Sequence, residues 1–435
     1  MTFKCAAVFI LMVFWRPQEW LVPWLYGVPV LDVVVIIAIL ALATEIQEGT
    51  ARIPKEMPQI WLLLGLWISA PVSHIAHFYF YGMVNSIVPV FKICFFTFML
   101  ICSLDRPSRL RISAFLFVAM AVTMTHHALL QQTRGYGFAG AVPMLIEATR
   151  ESPQYYRSLF FGIFLDPNDL AQFLLTCIPF AFILFRGPWF LNLLVGSALT
   201  YYFVQGVLAT GSRGGIVGLA ASAGMQILML LPRRWFKYLF PLGLLAFLGF
   251  CPFSGGVLDA SAHDRVVYWG LANRQFLHNP VFGLGYDMFW MVTTKGEALH
   301  NAYVACYTDL GLFGFFFWFG LIQLGFSGAI RARNALVGVN IDEAIQLRRI
   351  TRQTIVASFG FCVSAFFLSR TFIYPLFFLM AMMAVVPLIA QRYLPPDHPP
   401  LWPTRKKLII QISIGTVIAM IYIWVCCILL NKVYY

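Results

Sequence analysis

The chain has 435 residues, 60% of them hydrophobic and only 11% charged. That balance excludes a soluble protein built on one large core and points to a polytopic membrane protein. The net charge of +12 does not imply nucleic acid, because the basic residues cluster in short loops between apolar runs, as membrane-orientation signals do.

In chain order, apolar windows long enough to be read as spans cover 3–15, 28–43, 58–77, 84–104, 109–130, 164–185, 189–209, 214–231, 237–251, 301–330, 353–370, 372–391 and 408–430. They predict an all-α polytopic bundle of twelve or thirteen transmembrane helices, forming a single integral membrane domain over 1–435. The first window is short, and the 301–330 run is long enough to tilt or kink. Lys4 precedes a short apolar run, but Trp15-Arg16-Pro17 is a poor cleavage site, so no cleavable signal peptide is expected. The cysteines lie within or at the edges of apolar runs and none has metal-ligand spacing, which argues against a disulfide framework.

The basic loops are Arg106/Arg109/Arg111, Arg233/Arg234/Lys237, Arg331/Arg333/Arg348/Arg349/Arg352 and Arg392/Arg405/Lys406/Lys407. If odd-numbered spans run outward, all four are cytoplasmic and the excess of Lys and Arg lies inside. Three polar motifs then share the outer face: Leu165-Asp166-Pro167-Asn168-Asp169-Leu170-Ala171, Thr210-Gly211-Ser212-Arg213-Gly214-Gly215 and a long loop over 252–300. Loops of that length are usually functional.

Asp166-Pro167-Asn168-Asp169 reads as a helix start, with Asp166 as N-cap, Pro167 first in the helix and Asp169 in the first turn. A metal role for the two aspartates lacks a third ligand nearby. Arg213, among glycines at a helix N-terminus, suits phosphate, although an arginine at a span end also anchors to headgroups. Within the long loop, Asp264 to Phe276 has apolar residues at helical spacing and predicts a short amphipathic helix on the outer interface. Arg265 and Trp269 are one turn apart and face one side. Asn279-Pro280 ends that helix and Gly283-Leu284-Gly285 turns the chain, making His278 a C-terminal helix residue. His300, followed by Asn301 at the start of a span, is the candidate base. Lys92 is an intramembrane charge and so a functional candidate by default. His126/His127 and His74/His77 lie near outer span ends.

Phe164-Leu-Asp-Pro-Asn-Asp-Leu-Ala171, Thr210-Gly-Ser-Arg-Gly-Gly215, Arg265-x-x-x-Trp269, Asn279-Pro-x-x-Gly-x-Gly285, Ala298-Leu-His-Asn301 and Gly311-Leu-Phe-Gly314 occur in this order. The combination, over residues 160–320, resembles the O-antigen ligase family, which also contains O-antigen polymerases and protein O-oligosaccharyltransferases. The N-terminal spans resemble the family only in hydropathy, and a span after residue 408 is one more than its usual twelve.

The resemblance implies metal-independent glycosyl transfer at the periplasmic face of the bacterial inner membrane, with no cofactor. The donor it implies is a glycan on undecaprenyl diphosphate, and the acceptor a hydroxyl on lipid A-core, another glycan or a protein side chain. On the residues themselves, Arg213 and Arg265 suit the diphosphate leaving group and His300 suits the proton of the attacking hydroxyl. Either Asn301 or the pair Asp166/Asp169 is expected to orient base or acceptor, with Trp269 supporting. The alternatives are a polysaccharide polymerase, a scaffold subunit of an export complex and a small-anion transporter. The transporter reading calls for ionisable groups near the midplane, whereas here, apart from Lys92, they gather on one face.

Overall fold

A computed structural model describes residues 1–147, 153–185, 189–249, 260–293, 298–368 and 370–434. Each apolar window of the sequence falls on a helix, most with ends displaced by a few residues; the helix under 353–370 begins well before its window, at Asp342, and ends at Ser364. The chain opens with α1 (Thr2–Ile10), which continues as one π-helical turn to Trp15, and a short α2 (Pro17–Trp20). There follow α3 (Val30–Gln47), α4 (Pro58–Ile75), α5 (Phe80–Ser103) and α6 (Pro107–Arg134). A small antiparallel hairpin comes next, β1 (Met144–Ile146) with β2 (Tyr155–Arg157), in register Leu145 to Tyr156. Then come α7 (Pro167–Phe180), α8 (Trp189–Ala209), α9 (Arg213–Leu230) and α10 (Phe236–Gly249). The remainder is α11 (Ala260–His278), α12 (Ala302–Ala335), α13 (Asp342–Ser364), α14 (Tyr374–Gln391) and α15 (Arg405–Tyr434).

Among the described residues, nine helices are long and apolar enough to cross a membrane, and three shorter apolar helices accompany them. Helices apolar all round are either central or lipid-facing, and burial separates the two. α14 and α13 are the most enclosed, while α3 and α15 leave side chains such as Ile36, Leu40, Ile414 and Ile421 exposed. Aromatic packing ties α14 to α6, where Phe117 and Phe378 stack at 3.9 Å. Lys92, the intramembrane charge of the sequence, pairs with Asp32 at 3.0 Å on the exposed side of α3 and α5, away from the bundle interior.

α12 is two helices in sequence. At Gly311 the backbone takes φ 65°, ψ −170°, a conformation essentially confined to glycine, and the helix breaks there. A Cβ at this position would run into the Val281 carbonyl. The loop 280–285 lies in the break and satisfies the backbone groups that it frees. Leu284 N donates to Thr308 O at 2.9 Å, Gly285 N to Asp309 O at 3.0 Å, Leu312 N to Pro280 O at 2.9 Å and Phe313 N to Val281 O at 3.0 Å. The long, kinked run expected over 301–330 is therefore a short first half, residues 302–310, and a long second half.

Candidate functional site

The site grows from helix starts that open on one face. Asp166 is extended (φ −100°, ψ 126°) and caps α7, its carboxylate accepting from Asn168 N at 2.8 Å, with Pro167 in the first helical position. Ser212 caps α9 in the same way, accepting from Gly215 N at 3.1 Å. The two caps are tied together. Asn168 Oδ1 accepts from Ser212 Oγ at 2.8 Å and from Arg157 Nη2 at 2.8 Å, while Arg157 Nε donates to Thr210 O at 2.8 Å. Glycine at 215 is required by closeness, since a Cβ there would lie 2.8 Å from the Ala171 Cβ. Arg213, the first residue of α9, is exposed beside this knot. Both N-terminal dipoles point to where it stands, an arrangement favourable to an anion.

α11 is the amphipathic helix expected in the long loop. It buries Val266, Trp269, Ala272 and Phe276 and leaves Asp264 and Arg274 in the open, with Arg265 half-buried. Residues 252–259 of that loop, and 294–297 with Lys295, lie outside the described residues. Trp269 is fully buried, edge-on to Phe366 at 5.3 Å, and its Nε1 donates to Leu299 O at 2.7 Å. Trp269 thus pins the residue before His300. On the other side Asn301 caps α12, its Oδ1 accepting from Tyr303 N and Val304 N at 3.1 Å each. Between these anchors His300 is held at φ 50°, in the left-handed region that a non-glycine residue enters only when its surroundings impose it.

Burial, and then the Arg265 guanidinium, push the His300 imidazolium down to about 4; Arg370 adds to this and Asp166 opposes it. The ring is therefore neutral at physiological pH. His300 shares one electrostatic neighbourhood with Asp166 and Arg265, and Arg157 feels both Asp166 and Arg213. The motifs that the sequence sets on one face do converge.

Two predicted residues take more structural places than expected. The Asn301 side-chain oxygen is occupied as a helix cap, so it sets the start of α12 and does not reach for the base. Asp169 lies buried on α7, 2.8 Å from Arg370 Nη2. His278 is the exposed last residue of α11, as its position suggests. His127 is fully buried among Phe138, Phe160 and Phe161 and accepts from Phe138 N at 3.0 Å, a packing role. His77 meets the Gly283 carbonyl at 2.6 Å and so braces the loop in the α12 break.

The sequence reading passes over Arg157 and Arg370. Arg370 is hidden because the apolar window 353–370 runs through it, whereas α13 ends at Ser364 and one 3-10 turn closes at Phe367. An arginine at the seam of two apolar windows was the available signal. Arg157 sits in Tyr155-Tyr156-Arg157, a short strand whose partners are distant in sequence, and nothing local marks it.

Residues 198–319 match the O-antigen ligase family. The matched segment runs from α8 into the second half of α12 and contains Arg213, Arg265, Trp269, His300 and Asn301; Arg157, Asp166, Asp169 and Arg370 lie outside it. The O-antigen ligase match and the apolar helices together indicate a multi-pass membrane protein with glycan-transferring activity of the ligase or polymerase type. Among curated proteins, none matches the chain.

Proposed function

We propose that the chain is a glycosyltransferase of the O-antigen ligase type, working at the periplasmic face of the inner membrane. It moves a glycan from undecaprenyl diphosphate to a hydroxyl of lipid A-core or a related acceptor. The observation that carries this reading is a neutral, half-buried His300, held in a constrained backbone beside Arg265 and inside the ligase-matching segment.

In this reading Arg213 and Arg265 grip the diphosphate, helped by the N-terminal dipoles of α7 and α9. The acceptor oxygen attacks the sugar carbon next to the diphosphate. A new carbon–oxygen bond forms as the old one breaks, and its electron pair leaves with the lipid diphosphate. His300 takes the hydroxyl proton. The growing negative charge on the leaving group meets fixed guanidinium groups, so the chemistry calls on arginine where other transferases use a metal. Trp269 and Asn301 position His300 from either side, and Asp166 holds Asn168, which binds the Ser212 cap of the helix that begins at Arg213. The lipid-linked donor explains why the groups gather at one end of a membrane bundle.

Deletion of the gene, followed by analysis of lipid-linked intermediates and surface glycans, tests the reading. Loss of long chains from lipid A-core, with full-length glycan accumulating on the carrier, is the expected result. Single repeats left on the carrier would reassign the same chemistry to polymerisation. Unchanged surface glycans and unchanged carrier pools would sink it.

A further inference from the structure

Resting on that reading, the geometry points to Arg370 as a third guanidinium for the donor diphosphate, aimed by the buried carboxylate of Asp169.

Phe366, Phe367 and Thr371, near Arg370 in the chain, each touch an element that carries the site. Phe367 packs on the start of α9, where a Cβ at Gly214 would lie 3.0 Å from the Phe367 Cβ. Phe366 lies against Trp269 of α11. Thr371 Oγ1 donates to Ala302 O at 2.8 Å, two residues beyond His300, and Thr371 O accepts from Trp318 Nε1 at 3.0 Å. Arg370 is therefore fixed between the N-termini of α9 and α12 and the helix that carries Arg265. Its electrostatic reach to His300 agrees with that place.

Asp169 explains the orientation. Its side chain has no solvent exposure, while that of Arg370 is 49% exposed, and the two meet at 2.8 Å. A carboxylate buried this deeply is costly unless it holds a cation. The contact runs from Arg370 Nη2 to Asp169 Oδ2 and leaves about half of the arginine side chain exposed. Arginine presents several N–H groups in a rigid fork, so one edge can be held by Asp169 while another meets phosphate oxygen. A diphosphate offers two phosphoryl groups, and a third guanidinium opposite Arg213 and Arg265 discriminates it from a monophosphate. After transfer the carrier still bears its diphosphate, so the same contact also slows product release.

The test is binding of undecaprenyl diphosphate and undecaprenyl phosphate to the full chain in nanodiscs, for wild type, Arg370→Ala, Arg370→Lys and Arg265→Ala. Arg370→Ala should weaken the diphosphate about tenfold or more and the monophosphate much less, and lysine should restore only part of the difference. Arg370→Gln carries the same comparison if the alanine variant is not monodisperse. Unchanged diphosphate affinity in the Arg370 variants, with Arg265→Ala impaired, overturns the role of Arg370 and leaves the site reading intact. Unchanged affinity in all of them overturns both. Equal weakening for the two lipids, with full rescue by lysine, reduces Arg370 to a general positive charge and also overturns the proposal.

Discussion

On the face away from the site, Asp105 takes Arg106 at 3.0 Å and Arg109 at 3.2 Å, Arg392 donates to the Asp105 carbonyl at 2.9 Å, and Arg52 pairs with Glu56. Several of these groups, with His398, line a cavity of about 1120 Å³. On the site face, Arg157 is drawn against a helix cap and a backbone carbonyl and Arg370 against a buried carboxylate, while Arg265 acts by its charge on the half-buried His300. The first set consists, apart from the Arg392 contact to a backbone carbonyl, of partly exposed carboxylate pairs, which contribute at most about 1 kcal/mol each. The second set binds charge to groups that cannot move. What sets the site face apart is the fully buried carboxylate of Asp169 and the constrained backbone at His300.

The comparison breaks most sharply at His300. His300→Ala should lower glycan transfer by about 100- to 10,000-fold, the range for loss of a general base, while donor binding survives. A purified transfer assay with binding measured separately decides it, and near-normal turnover would leave the fixed face without its central group. The pH profile sharpens the same point. Because the ring is neutral above about pH 4, donor-limited turnover should stay flat from neutral pH down toward 5 and fall only as the pH drops through about 4. Bound diphosphate offsets Arg265, so the acid limb at saturating donor should lie higher.

Arg213→Ala and Arg265→Ala come next, each expected to cost about two orders of magnitude in transfer with poor rescue by lysine. Full activity of both, at normal expression, would reduce them to headgroup anchors. Trp269→Phe keeps an aromatic ring against Phe366, leaves a small void and deletes one hydrogen bond, to Leu299 O. About 1 kcal/mol of positioning lost there corresponds to roughly a tenfold or smaller fall in transfer. An unchanged rate would mean that His300 needs no such brace. The smallest effect belongs to the other face. Asp105→Asn should leave transfer within about twofold of wild type and shift thermal stability little, and a large loss of transfer would erase the distinction between the faces.

The spans were legible because hydrophobicity is a local signal, and each window landed on a helix. The cap at Asp166 was legible for a similar reason: a cap and the amides it serves lie within three residues of each other. Asn301 serves its amides just as locally, but beside His300 it reads as a group that orients base or acceptor, and its capping place shows only in the structure. Arg157 and Arg370 escaped because their partners, Thr210 and Asp169, lie far along the chain. Such contacts are made by packing and leave no local pattern. The glycine at 311 shows the intermediate case: a run too long for one span announced a break, but only the backbone shows that the loop 280–285 fills it.

That filled break has a mechanical consequence. The short first half of α12 carries the constrained histidine at its head and is spliced by backbone hydrogen bonds to the loop that follows α11. The long second half leans on the same loop through Leu312 N and Phe313 N, and on Thr371 through Trp318 Nε1. The break is thus a clamped joint and not a free hinge. A change in tilt of the long half, as a thicker or thinner bilayer would impose, bears through the loop and Thr371 on the segment that carries residue 300.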